Sequence, residues 1–208
     1  MTVQIRLCLS RGGRWRVLSS VAEDEDAALV ARLKSGDAQA FEAVYQRWHQ
    51  RIYAFLYRLV LRRDLAEDFA QEVWVRFATA AYNLRQDDRL GPWLFRVARN
   101  LVHSRGRHLT AAASATPLIA ELYEQRAPSS PLESVVSSHL RVALERALAA
   151  LPLADRELIV LVGVEGLAPQ EAALVLSVRP EALRKRLERA RAKMRQNLPD
   201  WSDDEAHR

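Results

Sequence analysis

Apolar side chains recur at intervals of three and four residues through most of the chain, and this spacing predicts helices rather than strands. The clearest run lies between residues 41 and 59, where the apolar positions form one face of a long helix. These positions are Phe41, Val44, Tyr45, Trp48, Ile52, Phe55, Leu56 and Leu59. Just before the run, Gly36-Asp37 is typical of a helix end followed by the N-cap of the next helix.

Similar runs predict three further helices in the N-terminal half of the chain. The first covers residues 24–34, and another begins at Asp64. Asp64 and Glu67 have the spacing of a capping box, which predicts Asp64 as the N-cap of that helix. The polar stretch 82–91 is predicted to be a loop, and Pro92 suits the first turn of the helix that follows it.

The C-terminal half predicts four more helices, at about residues 139–151, 154–164, 169–176 and 180–198. The last two are separated by the three-residue turn Ser177-Val178-Arg179, and this arrangement is a helix-turn-helix pattern. In such a unit the second helix enters the major groove of duplex DNA, and the side chains of its first turns reach the base edges.

The basic charge of the chain is concentrated in the last of these helices. The formal net charge of the chain is +5, and this value alone is only weak evidence for a polyanionic partner. Between Arg179 and Arg195, however, eight basic and two acidic residues give a net +6. The residues expected to contact duplex DNA are Arg179, Glu181, Arg184, Lys185, Arg186 and Arg189. The alternative interpretation is a solvated helix face with internal Glu–Lys and Glu–Arg pairs.

Composition divides the chain into two helical domains and three less regular segments. Residues 109–137 are rich in proline and serine, which predicts a flexible linker between a domain at 23–108 and a domain at 138–198. Residues 1–22 are interpreted as a flexible N-terminal extension, or as the product of a start codon placed too early. Residues 199–208 form an acidic tail. The expected fold class is all-α, with two small helical domains.

Several functional classes lack their required residues in this sequence. Cys8 is the single cysteine, so no disulfide framework and no cysteine zinc site can form within one chain. The five histidines are not paired at metal-ligand helical spacing, and neither a phosphate-binding glycine loop nor a serine nucleophile elbow occurs. No apolar run approaches the length of a membrane span or a signal peptide. We therefore expect no metal, no cofactor, no catalysis, no membrane insertion and a cytoplasmic location.

Ordered motifs in both domains resemble one protein family. In the second domain they are Leu151-Pro152, residues 155–161, Glu165-Gly166-Leu167, Glu171-Ala172-Ala173 and residues 183–191. In the first domain they are Gly36-Asp37, Ala40-Phe41-Glu42 with Tyr45, Ala66-Glu67-Asp68, residues 71–74 and residues 93–100. In order and spacing these motifs are similar to the extracytoplasmic-function (ECF) subfamily of sigma-70 RNA polymerase sigma factors. The resemblance covers about residues 23–198, apart from the linker.

The resemblance implies a function and a role for each matching residue. Sigma factors of this subfamily bind core RNA polymerase and direct promoter-specific initiation. Their region 2 reads the -10 element, and the helix-turn-helix of their region 4 binds the -35 element. The residues implied to grip a coiled coil on the largest polymerase subunit are Asp68, Gln71 and Glu72. Those implied to open and hold the -10 element are Trp93, Arg96, Arg99, Asn100 and His103. Trp93 also lies in the apolar stripe of its helix, which favours core packing for its ring. The resemblance further implies a flipped-base pocket in loop 82–91 and an anti-sigma protein as a partner.

Two other functions remain open at this point. A stand-alone helix-turn-helix regulator would account for the last two helices and leave the acidic face at residues 68–72 without a role. A helical nucleic-acid enzyme would need a metal or nucleophile cluster, which the sequence does not offer. The chain also departs from the family at Leu90-Gly91-Pro92, and Ala168, Ser177 and Arg179 replace the usual cap or turn residues. Each missing cap is expected to cost about 1 kcal/mol.

Overall fold

The computed structural model describes residues 20–84, 89–109 and 142–198, and these ranges contain helices and turns without a strand. The all-α prediction is therefore confirmed. The first domain contains α1 (Ser20–Lys34), α2 (Ala38–Val60), α3 (Arg63–Ala80), a 3-10 turn (Ala81–Asn83) and α4 (Leu90–Leu109). The second contains α5 (142–149), α6 (Leu153–Ile159), a π turn (Val160–Val164), α7 (Pro169–Leu176) and α8 (Pro180–Asn197). The predicted linker core and acidic tail lie outside the described residues.

Helix α2 is the centre of the first domain, and α1, α3 and α4 pack around it. Its start is fixed as the sequence predicts, since the Asp37 carboxylate accepts a hydrogen bond from the Gln39 N–H at 2.9 Å. Gly36 before it has a φ of +82°, a conformation that glycine adopts without steric cost. Aromatic rings fill the core beside α2, with Phe55 and Phe95 in edge-to-face contact at 5.0 Å between ring centroids.

The start of α3 differs from the predicted capping box. The helix begins at Arg63, and its N-cap is Arg62, whose side chain makes no cap hydrogen bond. Asp64 lies inside the first turn, and its carboxylate accepts from the Arg62 guanidinium, with 3.2 Å between Arg62 Nε and Asp64 Oδ1. This contact lowers the pKa of Asp64. The capping prediction for Asp64 was wrong because a neighbouring arginine binds the carboxylate that was expected to cap the backbone.

Helix α1 is also longer than expected. Its backbone is helical from Ser20, four residues before the predicted start at Asp24. The helix therefore reaches into the segment that the sequence assigned to a flexible extension. The remainder of the extension lies outside the described residues.

The second domain compensates for the cap residues that it lacks. At the start of α7, the Ala168 N–H donates to the Glu171 carboxylate at 2.9 Å, which supplies the side-chain half of a capping box from inside the helix. At the end of α7, Ser177 takes the left-handed conformation with a φ of +54°, where glycine is the usual residue. The turn between α7 and α8 thus keeps helix-turn-helix geometry without the usual residues.

The two domains are packed against each other. Helix α4 contacts α7, and α2 contacts α6. One continuous cluster of buried apolar residues includes members from both domains, such as Phe95 in the first and Leu158 in the second. Proline and serine in the linker suggested tethered modules, but that composition carries no information about whether the modules dock. The structure shows that they do.

Gly91 explains one departure from the family pattern and leads to a stability prediction. A Cβ atom at Gly91 would lie 2.5 Å from Cη2 of the buried Trp48 indole, too close for any real contact. Gly91→Ala should therefore lower the free energy of unfolding by about 1–3 kcal/mol, measured by chemical denaturation. Gly163→Ala is the matched control, since the nearest atom to its Cβ would be 3.9 Å away. Equal stability of the two variants would contradict this account of the α4 start.

Candidate nucleic-acid interface

Helix α8 has an apolar side that packs inward and a cationic side that faces solvent. Leu183 and Ala190 are fully buried and Leu187 nearly so, as the sequence predicts. The six residues predicted to contact duplex DNA lie away from this core. Arg179, Glu181, Arg184, Lys185 and Arg189 are exposed, and Arg186 is half-buried. The structure therefore presents an open basic surface on the helix that a helix-turn-helix uses for groove binding.

The C-terminal end of α8 is fixed to the rest of its domain. Lys193 pairs with Asp155 of α6, with 2.6 Å between Nζ and Oδ2. Asn197 donates from Nδ2 to the Ala147 carbonyl of α5 at 3.4 Å. These contacts fix the C-terminal half of α8. The cationic side of its N-terminal half stays exposed to solvent.

Helix α3 carries the predicted acidic and amide face on its solvent side. Asp68 and Gln71 are exposed. Glu72 is half-buried and pairs with Arg76, with 2.9 Å between Nε and Oε1. One turn further on, the Val75 side chain is 60% exposed. An acidic strip beside an exposed apolar side chain is suited to a basic helical partner.

The five residues predicted to contact the opened DNA strand have three different environments on α4. Arg96 and Asn100 are exposed. Trp93 is half-buried and packs edge-to-face on Phe77, with 5.9 Å between ring centroids, as core packing predicts. Arg99 and His103 contact the second domain, and 20% and 42% of their side chains stay exposed to solvent. The structure therefore brings only part of the predicted set together on one accessible surface.

Glu157 of α6 contacts both Arg99 and His103. Its side chain is 2% exposed, and its Oε2 accepts from Arg99 Nε at 3.2 Å. Its other oxygen, Oε1, is in close contact with His103 Nε2. A buried carboxylate is costly unless cations or hydrogen-bond donors surround it, and here both oxygens have such a partner. Sequence reasoning did not identify Glu157 as a contact of these residues.

Arg156, the preceding residue, joins helix ends from both domains. Its guanidinium donates to the carbonyls of Leu148, Ala149 and Leu151 at 3.0, 2.6 and 2.9 Å. It also donates to the carbonyls of Arg58 and Leu59 at the end of α2, at 3.4 and 3.0 Å. The last carbonyls of a helix lack internal partners and carry partial negative charge, so they suit a cation. Burial lowers the pKa of Arg156, but a guanidinium stays protonated at neutral pH.

Three more ion pairs cross the interface between the domains. In the described residues they are Arg51–Glu165 at 3.1 Å, Arg58–Glu145 at 3.0 Å and Arg89–Glu171 at 2.7 Å. The Arg51 guanidinium also lies over the Trp48 ring at 4.4 Å, a cation–π contact. Burial raises the pKa of Glu165, and Arg51 opposes that shift. The sequence signal for this interface is the charged pair Arg156-Glu157, which stands directly before the apolar run 158–161.

The described ranges contain neither a membrane-spanning helix nor a metal-binding cluster. None of the helices there has the length and apolar character needed to cross a membrane. Within the same ranges, no group of three or more histidine, cysteine, aspartate or glutamate residues is placed to hold a metal ion.

Comparison with known proteins assigns both domains. The family model described as Sigma-70 region 2 matches residues 44–111, and the model described as Sigma-70, region 4 matches residues 141–194. Together they cover more than half of the chain. The chain belongs to the sigma-70 family. Within that family, the named ECF relatives place this sigma factor in the extracytoplasmic-function group.

Individual relatives match this sigma factor over most of its length. The RNA polymerase sigma-H factor of Pseudomonas aeruginosa is 27% identical, over 82% of this chain and 92% of that protein. The ECF RNA polymerase sigma factor SigM of Mycobacterium tuberculosis is 29% identical, over 83% of this chain and 84% of that protein. The solved structure of RpoE from Bartonella quintana, in complex with the anti-sigma factor NepR, has the same fold. Its TM-score is 0.63 at 22% identity, covering 77% of this chain and 97% of that one.

The presence of both regions decides between the functions left open by the sequence. A stand-alone helix-turn-helix regulator has no use for region 2, which matches the first domain. This sigma factor is therefore a promoter-specific initiation factor that works with core RNA polymerase and promoter DNA. The alternative of a stand-alone regulator was wrong.

Proposed function

We propose that this sigma factor divides promoter recognition between its two domains and leaves all chemistry to the polymerase. The first domain, residues 23–108, would dock on core polymerase and hold the opened -10 element. The second domain, residues 138–198, would hold the -35 element as duplex. The observation that carries this proposal is the separation of two exposed surfaces, an acidic face on α3 and a cationic face on α8, on different domains.

Asp68, Gln71 and Glu72 form the proposed polymerase contact, against a coiled coil of the largest subunit. The support for this role is their shared exposed face and its acidic character. The apolar side chain of Val75 extends the same face, and its burial on docking would add affinity.

We assign the -10 strand to the polar side of α4. Arg96 and Asn100 are exposed there and suit the phosphates and base edges of an unpaired strand. Arg99 and His103 extend this surface once the second domain moves away from them. Trp93, which is half-buried and packs edge-to-face on Phe77, belongs to the same proposed set.

The proposed base pocket near α4 is only partly described. Loop 82–91 contains residues 85–88, which lie outside the described residues. At its start, the Tyr82 side chain is 63% exposed, so its ring is accessible to an unstacked base. Extrusion of a base costs a few kcal/mol, which contacts of this kind would have to offset.

We assign binding of the -35 duplex to the first turns of α8. The proposed contacts are Arg179, Glu181, Arg184, Lys185, Arg186 and Arg189. Arginine can bind guanine through two parallel hydrogen bonds, and the other cations of the set can neutralise phosphates. The anchored far end of α8 supports this use, because it keeps the first turns in a fixed orientation.

A regulatory partner and a location complete the proposal. The RpoE protein of Bartonella quintana was solved with an anti-sigma factor. We extend this to the present protein as an anti-sigma partner that covers its polymerase or DNA surfaces in the cytoplasm. Promoter activity that changes when a neighbouring gene is co-expressed would support the partner, and activity unchanged by any neighbour would count against it.

Transcription in vitro tests the whole proposal. Purified factor is mixed with core polymerase from the same bacterium and a library of promoter fragments. We expect transcripts with defined start sites that depend on the factor. Core polymerase that gives the same RNA products with and without the factor would refute the proposal.

A charge reversal tests the polymerase contact separately. Asp68→Lys should weaken binding to core polymerase by about tenfold or more, since a lysine would face a basic partner. The measurement is a titration of labelled factor with core polymerase. Glu42→Lys makes the same change of charge at an exposed position of α2 and should bind as the wild type does. Equal affinity of the two variants would remove the assigned role of this face.

A further inference from the structure

An acidic residue lies at the end of α8 that is proposed to enter the major groove. Glu181 is exposed in the first turn of that helix. A carboxylate at this place lowers the general affinity for DNA, because the phosphates of both strands repel it. An acid in the first turn also stabilises a helix through the macrodipole, and that role alone predicts no base preference. A base preference that depends on Glu181 therefore separates a recognition role from a purely structural one.

Glu181 and Lys185 lie on the side of α8 opposite its core. The buried side of the helix is formed by Leu183, Leu187 and Ala190. Because a helix turns about 100° per residue, positions 181 and 185 both lie within about 30° of the direction opposite that side. Both residues are exposed. They are therefore the side chains of the first two turns that point most directly toward the floor of a groove, and the arginines of these turns lie to either side.

The two side chains do not neutralise each other. Their spacing of four residues allows an ion pair, which was part of the alternative interpretation of this helix face. Among the residues that the structure describes, neither the Glu181 carboxylate nor the Lys185 ammonium group has an ion-pair or hydrogen-bond partner. Lys193, further along the same helix, is paired with Asp155 at 2.6 Å. The charged groups at positions 181 and 185 are therefore available to a ligand.

The chemistry of these two groups selects different bases. A carboxylate only accepts hydrogen bonds, and the N4 amino group of cytosine is the major-groove donor that glutamate reads. Adenine also has an amino donor there, but its neighbouring N7 acceptor repels a carboxylate. A lysine ammonium group only donates, and it suits the O6 and N7 acceptors of guanine.

The spacing of the two residues fits neighbouring base pairs. Their Cα positions are about 6 Å apart along the helix axis, which corresponds to one or two base-pair steps of about 3.4 Å. Two C·G base pairs at this separation present an amino donor to Glu181 and carbonyl and ring-nitrogen acceptors to Lys185.

We propose that Glu181 and Lys185 are a specificity-determining pair of α8, with Glu181 on the N4 amino group of a cytosine and Lys185 on a guanine one or two base pairs away. This inference rests on the proposed binding of the -35 duplex by α8, and it names the bases that the helix selects. The ligand is a duplex with two C·G base pairs that are neighbours or next neighbours.

The test measures base preference with the full-length factor bound to core polymerase. A promoter that the factor transcribes is rebuilt as a library with randomised -35 bases, and the bound fragments are sequenced. The wild-type holoenzyme should select one cytosine and one guanine at the proposed spacing, each by about tenfold over the other bases. Glu181→Gln should replace the cytosine preference by one for adenine, which glutamine reads, and keep the guanine preference. Its general affinity for DNA should rise, because a repulsive charge is removed.

Two further variants control for changes in charge. Glu42→Gln makes the same change at an exposed position of α2 and should select the same bases as the wild type. The double variant Glu181→Lys, Lys185→Glu has the composition and net charge of the wild type. It should prefer an element in which both C·G pairs are inverted, because the ammonium and carboxylate groups have exchanged places. A double variant that keeps the wild-type preference would overturn the proposal.

The remaining outcomes distinguish this inference from the proposed function. If transcription depends on the factor but Glu181→Gln and Lys185→Gln select the same bases as the wild type, the pair is refuted and the proposed function stands. If the factor directs no transcription at all, the proposed function is refuted and the pair with it. Circular dichroism checks the fold of each variant. Should the double variant not fold, the two glutamine variants decide, since each removes one charge and adds none of opposite sign.

Discussion

Replacing Arg156 with methionine is expected to lower the free energy of unfolding by about 3–4 kcal/mol. The Arg156 residue is 8% exposed, and its guanidinium donates to carbonyls at the ends of two helices, α2 and α5. Methionine fills similar volume but donates no hydrogen bond, so these carbonyls would lose the guanidinium, while that of Leu148 would still accept from the Leu151 N–H. Urea denaturation followed by circular dichroism measures the change.

Two further variants test whether the loss of stability comes from the hydrogen bonds of Arg156. Arg191→Met alters an exposed arginine of α8 and should change the free energy of unfolding by less than about 0.5 kcal/mol. Arg156→Lys should lie between methionine and wild type, because an ammonium group has three donors and cannot reach carbonyls on both helices. A methionine variant as stable as the Arg191 control would show that the carbonyls are satisfied without Arg156.

The second large effect is expected at the proposed DNA-binding surface of α8. Arg184→Ala or Arg186→Ala should each weaken binding of the polymerase holoenzyme to -35 duplex by about tenfold, and the double variant by about a hundredfold. Both residues lie in the first two turns of α8, beside the buried Leu183 and Leu187. Footprinting and duplex titration on a promoter found by transcription give the measurement.

The control for this experiment lies at the other end of the same helix. Arg195→Ala removes an exposed cation from the last turn of α8, far from the first turns, which are proposed to enter the groove. It should reduce affinity only slightly and equally for all sequences, as loss of a distant charge does. Footprints that stay unchanged in the double variant would refute the assigned orientation of α8.

Much of this fold could be predicted because the information is local. The apolar spacing predicts the long helix α2, and the Asp37 cap and the inward face of α8 were confirmed in detail. The helix-turn-helix follows from two prolines at helix starts and a short turn. Such features depend on residues within a few positions of each other, and sequence periodicity records them well.

The contacts that the sequence did not predict are of two kinds. Some join residues far apart in the chain, and others depend on two groups that compete for one partner. Arg51 and Glu165 are 114 positions apart, so no local pattern connects them. The N-cap at Asp64 failed for another reason, since two groups compete for one carboxylate and Arg62 is nearer. For Trp93 the apolar stripe predicts core packing, and the ring does pack on Phe77, while its DNA role stays a prediction.

Three successive residues at the start of α6 point to three different neighbours. Asp155 holds Lys193 of α8, Arg156 holds the ends of α2 and α5, and Glu157 holds Arg99 and His103 of α4. Within one helical turn the backbone positions of these three residues cannot change independently, because their Cα atoms belong to one regular segment. The first turn of α6 therefore couples the position of α4 in the first domain to that of α8 in the second.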